Sequence, residues 1–533
     1  MKKNDLWKLG AAEVVKATST GAISAVSVVQ SNIDRMHEVN PVLNAVVMDL
    51  SEQALNRAEE LDKTRNSGAR IGSLHGVPVT VKINVDQRGC PTSNGVYALR
   101  DIIAESDSPV VKNLQDSGAI ILGRTNTPEF SFRADTDNVL HGRTHNPWGS
   151  HVSAGGSSGG AGSAVMAGIG SLAHGNDIGG SLRFPAAANG AVTVKPGLGR
   201  IPAWNGTQKT ERGMLAQSMS VQGLLTRSVK DLDLAMPAVI KTDAHDPFHV
   251  PLEYRSTLKN EPVRVAFCQE TPGFEMHPEV TKALQVAADA LVDAGYKVEE
   301  KNISFLEETG TVGFRALMGE VSIMLGKDIK QDGSETIQQI FADYFNYFPP
   351  FEADELIKMM AKRTYYARKW SLFLNDYPII LSPFLPQPFF SPGRDTEGLN
   401  GVKAVLGSAL WSYSMNFIGQ PAGCLPTYIS GSGSTIQPIN VQLIGQRWRE
   451  DLIVDAMSAI EARVGTFQNH LWEKMEYYFL TRRNKFFVER AKELMKGNRI
   501  FIAVGASHLG GKTGLLNQFK EANFKLKPMQ ALE

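Results

Sequence analysis

Apolar residues recur at helical spacing along the first stretch of the chain, from about Leu6 to Val47, through Val26, Val29, Ile33 and Met36. Asn40-Pro41 is a stop signal, so this stretch is predicted as helices ending there. From Gly76 to Val85 the pattern changes to alternation: Val79, Val81 and Ile83 fall on one face of a strand, Thr80 and Lys82 on the other. Lys82 is thereby predicted to be a polar group on the working side of a buried sheet. Ser108 to Gly123 reads as a helix carrying Val110, Val111 and Leu114 that runs into a short strand, Ile120-Ile121-Leu122. Ser158 to Ala173 is dominated by Gly and Ala, with Val165, Met166 and Ile169 as its larger residues, which predicts a buried helix packed very closely on its neighbours. Later come a strand over Val263–Phe267, a turn at Thr271-Pro272-Gly273, a helix over Glu279–Ala294 opened by His277-Pro278, and a helix around Glu450–Ala462. Strands alternating with helices predict an α/β layered fold. No internal repeat interrupts the pattern.

Composition changes this picture in two ways. Lys+Arg and Asp+Glu both number 55 in 533 residues, so no global field draws the chain to nucleic acid or an anionic membrane. Near the end the balance shifts, with 12 Lys+Arg against 6 Asp+Glu over the 66 residues from Gln468 to Glu533. The Glu450–Ala462 helix would close a compact domain, which predicts a boundary near 465: one large domain over 1–467 and an appendage over 468–533. Cys90, Cys268 and Cys424 are far apart and lack metal-ligand spacing, as in a reducing compartment. Asn4, Asp5 and Lys8 interrupt any leader-like apolar run, and no run approaches a membrane span. The expectation is a cytoplasmic protein with no membrane partner.

Chemistry enters through two glycine-bracketed serines 24 residues apart: Ser157, in Gly155-Gly156-Ser157-Ser158-Gly159-Gly160, and Ser181, in Asp177-Ile178-Gly179-Gly180-Ser181. Lys82 lies 75 residues before Ser157. A serine hydroxyl is a weak nucleophile until a base takes its proton. Lysine can be that base only when neutral, which burial or neighbouring cations can arrange. The inferred arrangement is a proton relay from Ser181 through Ser157 to Lys82, with Ser157 later returning a proton to a leaving nitrogen. The backbone N–H groups of Ile178, Gly179, Gly180 and Ser181 would hold the oxyanion. Taken singly, each element has an ordinary reading as well, a flexible glycine loop or a surface lysine.

Together they resemble the amidase signature enzymes over roughly residues 6–465, a family that includes fatty acid amide hydrolase, malonamidase and the A subunit of glutamyl-tRNA amidotransferase. The resemblance rests on Gly76–Lys82, Gly123-Arg124-Thr125-Asn126, Asn146-Pro147-Trp148, Gly155–Gly160, Asp177–Pro185, Lys195-Pro196, Gly199-Arg200, Gly223–Ser228, Gly419–Pro426 and Val441–Glu450. It implies a mixed central sheet covered by helices on both faces. It implies Lys82 as base, Ser157 as the cis-peptide bridging serine and Ser181 as the acyl-forming nucleophile, without metal or organic cofactor. The implied partner is a small-molecule amide, with a homodimer left open. Three positions depart from the common pattern: Asn176 stands where Thr is usual, Ala188-Asn189-Gly190 replaces Phe-Cys-Gly, and Val152-Ser153-Ala154 replaces a segment with Thr-Pro. None removes a catalytic group; they bear on the substrate. Arg183 reads as a structural ion-pair partner in preference to a contact for a substrate carboxylate, and Asp177 as orienting its loop. Val81–Asp86, His141–Thr144 and Ala173–Asp177 look most like the branch containing 6-aminohexanoate cyclic dimer hydrolase, which suggests a linear or cyclic amide with an apolar chain. The rival readings are a glutamine-dependent amidotransferase subunit of the A type and a non-catalytic scaffold.

The tail contains Ala506-Ser507-His508-Leu509-Gly510-Gly511-Lys512-Thr513, which satisfies a relaxed P-loop pattern after the apolar run Ile500–Val504. Only 20 residues follow Thr513, too few for a nucleotide-binding sheet and its Mg²⁺ carboxylate. The segment instead resembles the C-terminal end of TraB/GumN-type proteins, in which a Gly-x-x-His element, here Gly505–His508, is linked with a metal site. A metal needs several ligands, and the companion motif would lie upstream where this chain is amidase-like. The expectation is a small α/β fragment with His508 as a loop histidine.

Overall fold

The computed structural model describes residues 3–256, 263–476 and 519, and the chain divides after Phe467 into two units. The first is built on an 11-stranded sheet. Its strands are β1 (Val46–Asp49), β2 (Pro78–Lys82), β3 (Ile120–Thr125), β4 (Leu172–Asp177), β5 (Val192–Lys195), β6 (Val221–Thr226), β7 (Arg264–Phe267), β8 (Lys297–Glu300), β9 (Ile379–Pro383), β10 (Ala422–Ser430) and β11 (Gln437–Gly445). Across the sheet they run β1-β3-β2-β4-β6-β5-β10-β11-β9-β7-β8. The β3-β2-β4 and β9-β7-β8 neighbours are parallel, and the strands between and outside them pair antiparallel, so the sheet is mixed.

Pleating sorts the side chains of β2. Val79 and Val81 enter one apolar core with Val110 and Leu114 of the Pro109–Asp116 helix, Leu232 of the Val229–Val239 helix, Leu284 of the Pro278–Asp293 helix and Ile453 of the Glu450–Val464 helix. Thr80 and Lys82 point to the other face, which carries the Gly159–Ala167 and Arg183–Asn189 helices. Every residue of the Gly159–Ala167 helix is buried. Its glycines allow the close approach: a Cβ at Gly160 would lie 2.4 Å from the Asn126 backbone nitrogen.

Several predicted elements are shorter than their apolar patterns. The first 47 residues contain helices at Ala11–Thr20 and Ala25–Leu43, with Pro41 inside the last turn, but β1 begins at Val46. The glycine-alanine stretch stops being helical at Ala167, and its end, from Leu172, is β4. In the second unit the described helix is Gln468–Glu476. The P-loop-like segment, Gly505–His508 and the rest of the expected small α/β appendage, residue 519 apart, lie outside the described residues. No helix among the described residues is long and apolar enough to cross a membrane.

Candidate active site

The site forms where β2 and β4 run parallel with β4 one strand over, so that their C-terminal ends deliver Lys82 beside Asn176 and Asp177. Ser157 and Ser158 precede the Gly159–Ala167 helix, and the Gly156–Ser157 peptide is cis. Lys82 is fully buried, with Nζ 2.7 Å from Ser157 Oγ, 2.8 Å from Asn176 Oδ1 and 3.1 Å from Ser158 Oγ. Burial drives its ammonium well below the ordinary lysine range, against a smaller opposing pull from Asp177. His174, on β4, is also buried; burial, with Lys82 and Arg124 adding to it, pushes its imidazolium down to about 3, so the ring is neutral.

Ser181 is partly exposed at the mouth of this cluster. Its carbonyl oxygen accepts the Ser158 N–H at 3.2 Å, which ties the two serine segments together, while the Ser157 and Ser181 hydroxyls make no hydrogen bond to each other. Asp177 shapes the loop between them and the following helix. Its Oδ1 accepts the Gly180 N–H at 2.8 Å and its Oδ2 the Leu182 N–H at 3.1 Å. Of the four amides expected to face an oxyanion, that of Gly180 is therefore engaged by this carboxylate. Arg183 is fully buried and bonds both oxygens of Asp177, at 3.1 and 3.0 Å. Burial works to raise the Asp177 carboxyl, but Arg183 prevails and holds it at about 2.

Sequence reasoning missed the groups that brace this loop from the far end of the domain. From the Leu410–Ile418 helix, Ser412 Oγ donates to the Gly179 carbonyl at 2.9 Å and Asn416 Nδ2 donates to Asp177 Oδ1 at 2.9 Å. Gln442 Oε1, on β11, accepts from Arg183 at 3.0 Å. Also missed were Asn176 and Ser158 as Lys82 partners, and an aromatic wall beside Gly179. A Cβ at Gly179 would lie 3.7 Å from Phe314 and 3.9 Å from Tyr413. The rings of Phe314 and Tyr413 are 4.9 Å apart, and Phe348 stands 4.6 Å behind Phe314. The run of aromatics after residue 313 was the available signal. Among the described residues, no group of three or more His, Cys, Asp or Glu could hold a metal ion.

Comparison with known proteins matches the chain to two families. The amidase family matches residues 27–454, and the TraB/PrgY/gumN family matches residues 444–528. An indoleacetamide hydrolase of Bradyrhizobium diazoefficiens is 43% identical over 89% of this chain and 90% of its own length. Among solved structures, a bacterial aryl acylamidase of the amidase signature family superposes with a TM-score of 0.75 at 25% identity, covering 87% of this chain and 97% of that one. A 6-aminohexanoate cyclic dimer hydrolase complexed with substrate gives a TM-score of 0.73 at 26% identity, covering 86% and 98%.

Proposed function

The chain belongs to the amidase family, and on that premise we propose that it hydrolyses a small-molecule carboxylic amide through an acyl-enzyme on Ser181, with arylacetamides of the indoleacetamide type as the substrate class. One observation carries the reading: a fully buried Lys82 with Nζ 2.7 Å from Ser157 Oγ, directly behind the Ser181 loop. Neutral Lys82 takes the Ser157 proton as Ser157 takes that of Ser181. Ser181 Oγ then bonds to the amide carbon, and the carbonyl electron pair moves onto oxygen, facing the amides of Ile178, Gly179 and Ser181. Ser157 gives a proton to the nitrogen as the C–N bond breaks, and Lys82 restores it. Water then repeats the sequence on the acyl-enzyme and releases the acid. Phe314 and Tyr413, packed beside Gly179, are the apolar neighbours that support an aryl-bearing substrate in this reading. Residues 468–533 take no part in this chemistry in our reading.

The test is a panel of indoleacetamide, phenylacetamide, the 6-aminohexanoate cyclic dimer and glutamine, read by product formation. Release of ammonia from the arylacetamides is expected, with little from glutamine. Turnover of the cyclic dimer alone would move the substrate class, and turnover of glutamine only with added partner subunits would make the chain an amidotransferase subunit. No turnover together with no fluorophosphonate labelling of Ser181 would make it a scaffold.

A further inference from the structure

We propose that Asn176 is a positioning residue which, together with Ser158, occupies the two N–H groups of neutral Lys82 and so aims the amine lone pair at Ser157. The inference rests on the reading of Lys82 as the base. Lys82 Nζ has three near neighbours, the oxygens of Ser157, Ser158 and Asn176. An ammonium donates to all three; a neutral amine has two N–H groups and one lone pair. Which neighbour meets the lone pair decides whether the amine can accept a proton from the relay.

The surroundings make that choice. Asn176 Oδ1 can only accept, and its orientation is fixed because Asn176 Nδ2 donates to Asn84 Oδ1 at 2.8 Å. Asn84 is held in turn, its Nδ2 donating to Ser131 Oγ at 2.9 Å, and Ser131 Oγ donates to Asn94 Oδ1 at 2.6 Å. Ser158 Oγ lies 3.3 Å from the Asn176 carbonyl oxygen, to which it can give its hydrogen, and it accepts the Asn176 N–H at 3.3 Å. It therefore also faces Lys82 as an acceptor. With the Ser158 hydrogen given to the Asn176 carbonyl, Asn176 Oδ1 and Ser158 Oγ take the two N–H groups, and the third direction, toward Ser157, is left with the lone pair. Asn suits this place differently from the more usual Thr, whose hydroxyl can rotate to donate and so compete for the lone pair. When Ser157 gives up its proton, its O–H bond breaks, an N–H bond forms on Lys82, and the resulting ammonium meets three acceptors.

The charged and titratable groups facing Lys82 are Asp177 and His174 from β4 and Arg124 from β3, whose Nη2 lies 3.3 Å from the Lys82 carbonyl oxygen. Asp177 is compensated by Arg183, His174 is neutral and Arg124 is a fixed cation. A new carboxylate at position 176 is thus the strongest available change to the amine. The experiment follows the rate of Ser181 labelling by a fluorophosphonate, and of amide turnover, against pH. Asn176→Asp should move the acid limb upward by about one pH unit or more, because the carboxylate favours the ammonium. Asn176→Ala should slow both reactions by about tenfold or more with KM little changed, and Asn176→Thr should recover part of that loss. A folded Asn176→Asp protein with its limb in place, or an Asn176→Ala protein at full rate, overturns the proposal. Should the Ala variant not fold, the isosteric Asp variant carries the test. Lys82→Ala separates the two failures: if it still labels, the base assignment itself is wrong; if it is silent while the Asn176 variants behave as wild type, only the positioning role falls.

Discussion

At the residue scale, one task is divided among three side chains in the proposed mechanism, and their substitutions should reveal that division. Ser181→Ala removes the acyl acceptor from a partly exposed loop whose packing is carried by Asp177 and Arg183, so it should cost at least about a thousandfold in turnover with the melting temperature unchanged. Lys82→Ala and Ser157→Ala should each cost about a hundredfold or more, and the double variant should be little worse than either single one, because in the proposed relay the two, 2.7 Å apart, pass one proton. Fully additive losses in free energy would show separate roles. Burial depresses the Lys82 ammonium, so the neutral amine needed as base exists at pH values well below an ordinary lysine's range, and protonation removes it as pH falls. The rate should therefore rise with pH through an acid limb and then level; a rate constant from acid to alkaline pH would contradict a lysine base. Lys82, Ser157 and Ser181 stood out in the sequence as candidates because glycines bracket both serines and a strand alternation presents the lysine. Asn176 was visible only as a departure from a family pattern. Its contact with Lys82 spans 94 positions and depends on β2 lying parallel to β4, a pairing that no local pattern announces.

Elements explain both what could be read along the chain and what could not. The strand ending at Lys82 and the helices at Pro278–Asp293 and Glu450–Val464 have strong single-period patterns and stand within a few residues of their predicted bounds. β4 does not: Leu-Ala-His-Gly-Asn-Asp is nearly all buried between two layers, so it lacks alternation and continues the small-residue run of the preceding helix. Phe314 of the Leu306–Met324 helix, Phe348 after the Glu335–Tyr347 helix and Tyr413 of the Leu410–Ile418 helix lie outside the motifs, which is why the aromatic wall stayed unread. The glycine-rich helix offers a test at this scale. Gly160→Ala places a Cβ against the Asn126 backbone nitrogen, which no rotamer change can relieve. It should lower stability by about 1–3 kcal/mol, seen as a reduced denaturant midpoint, even though alanine is the better helix former. An unchanged midpoint would mean that the Asn126 segment yields easily.

For the whole molecule, the question is what the second unit contributes. The sheet, and the partners of Lys82 and Asp177 described above, lie before residue 468. A chain ending at Phe467 should keep amidase activity, measured against the full chain with the same amide. Loss of activity on truncation, or a thermal shift on adding a transition metal, would make residues 468–533 a working part of the enzyme. The loop that carries Ser181 is a different matter, because its braces come from far along the first unit: Asn416 and Gln442 reach Arg183 across 233 and 259 positions. Synthesis runs from the N-terminus, so Lys82, Ser157 and Ser181 leave the ribosome long before Ser412, Asn416 and Gln442 exist. During that interval the Ser181 loop lacks the contacts that set it. If Ser181 is the nucleophile proposed above, the nascent chain is expected to be silent, its chemistry beginning as one of the last events of its own making.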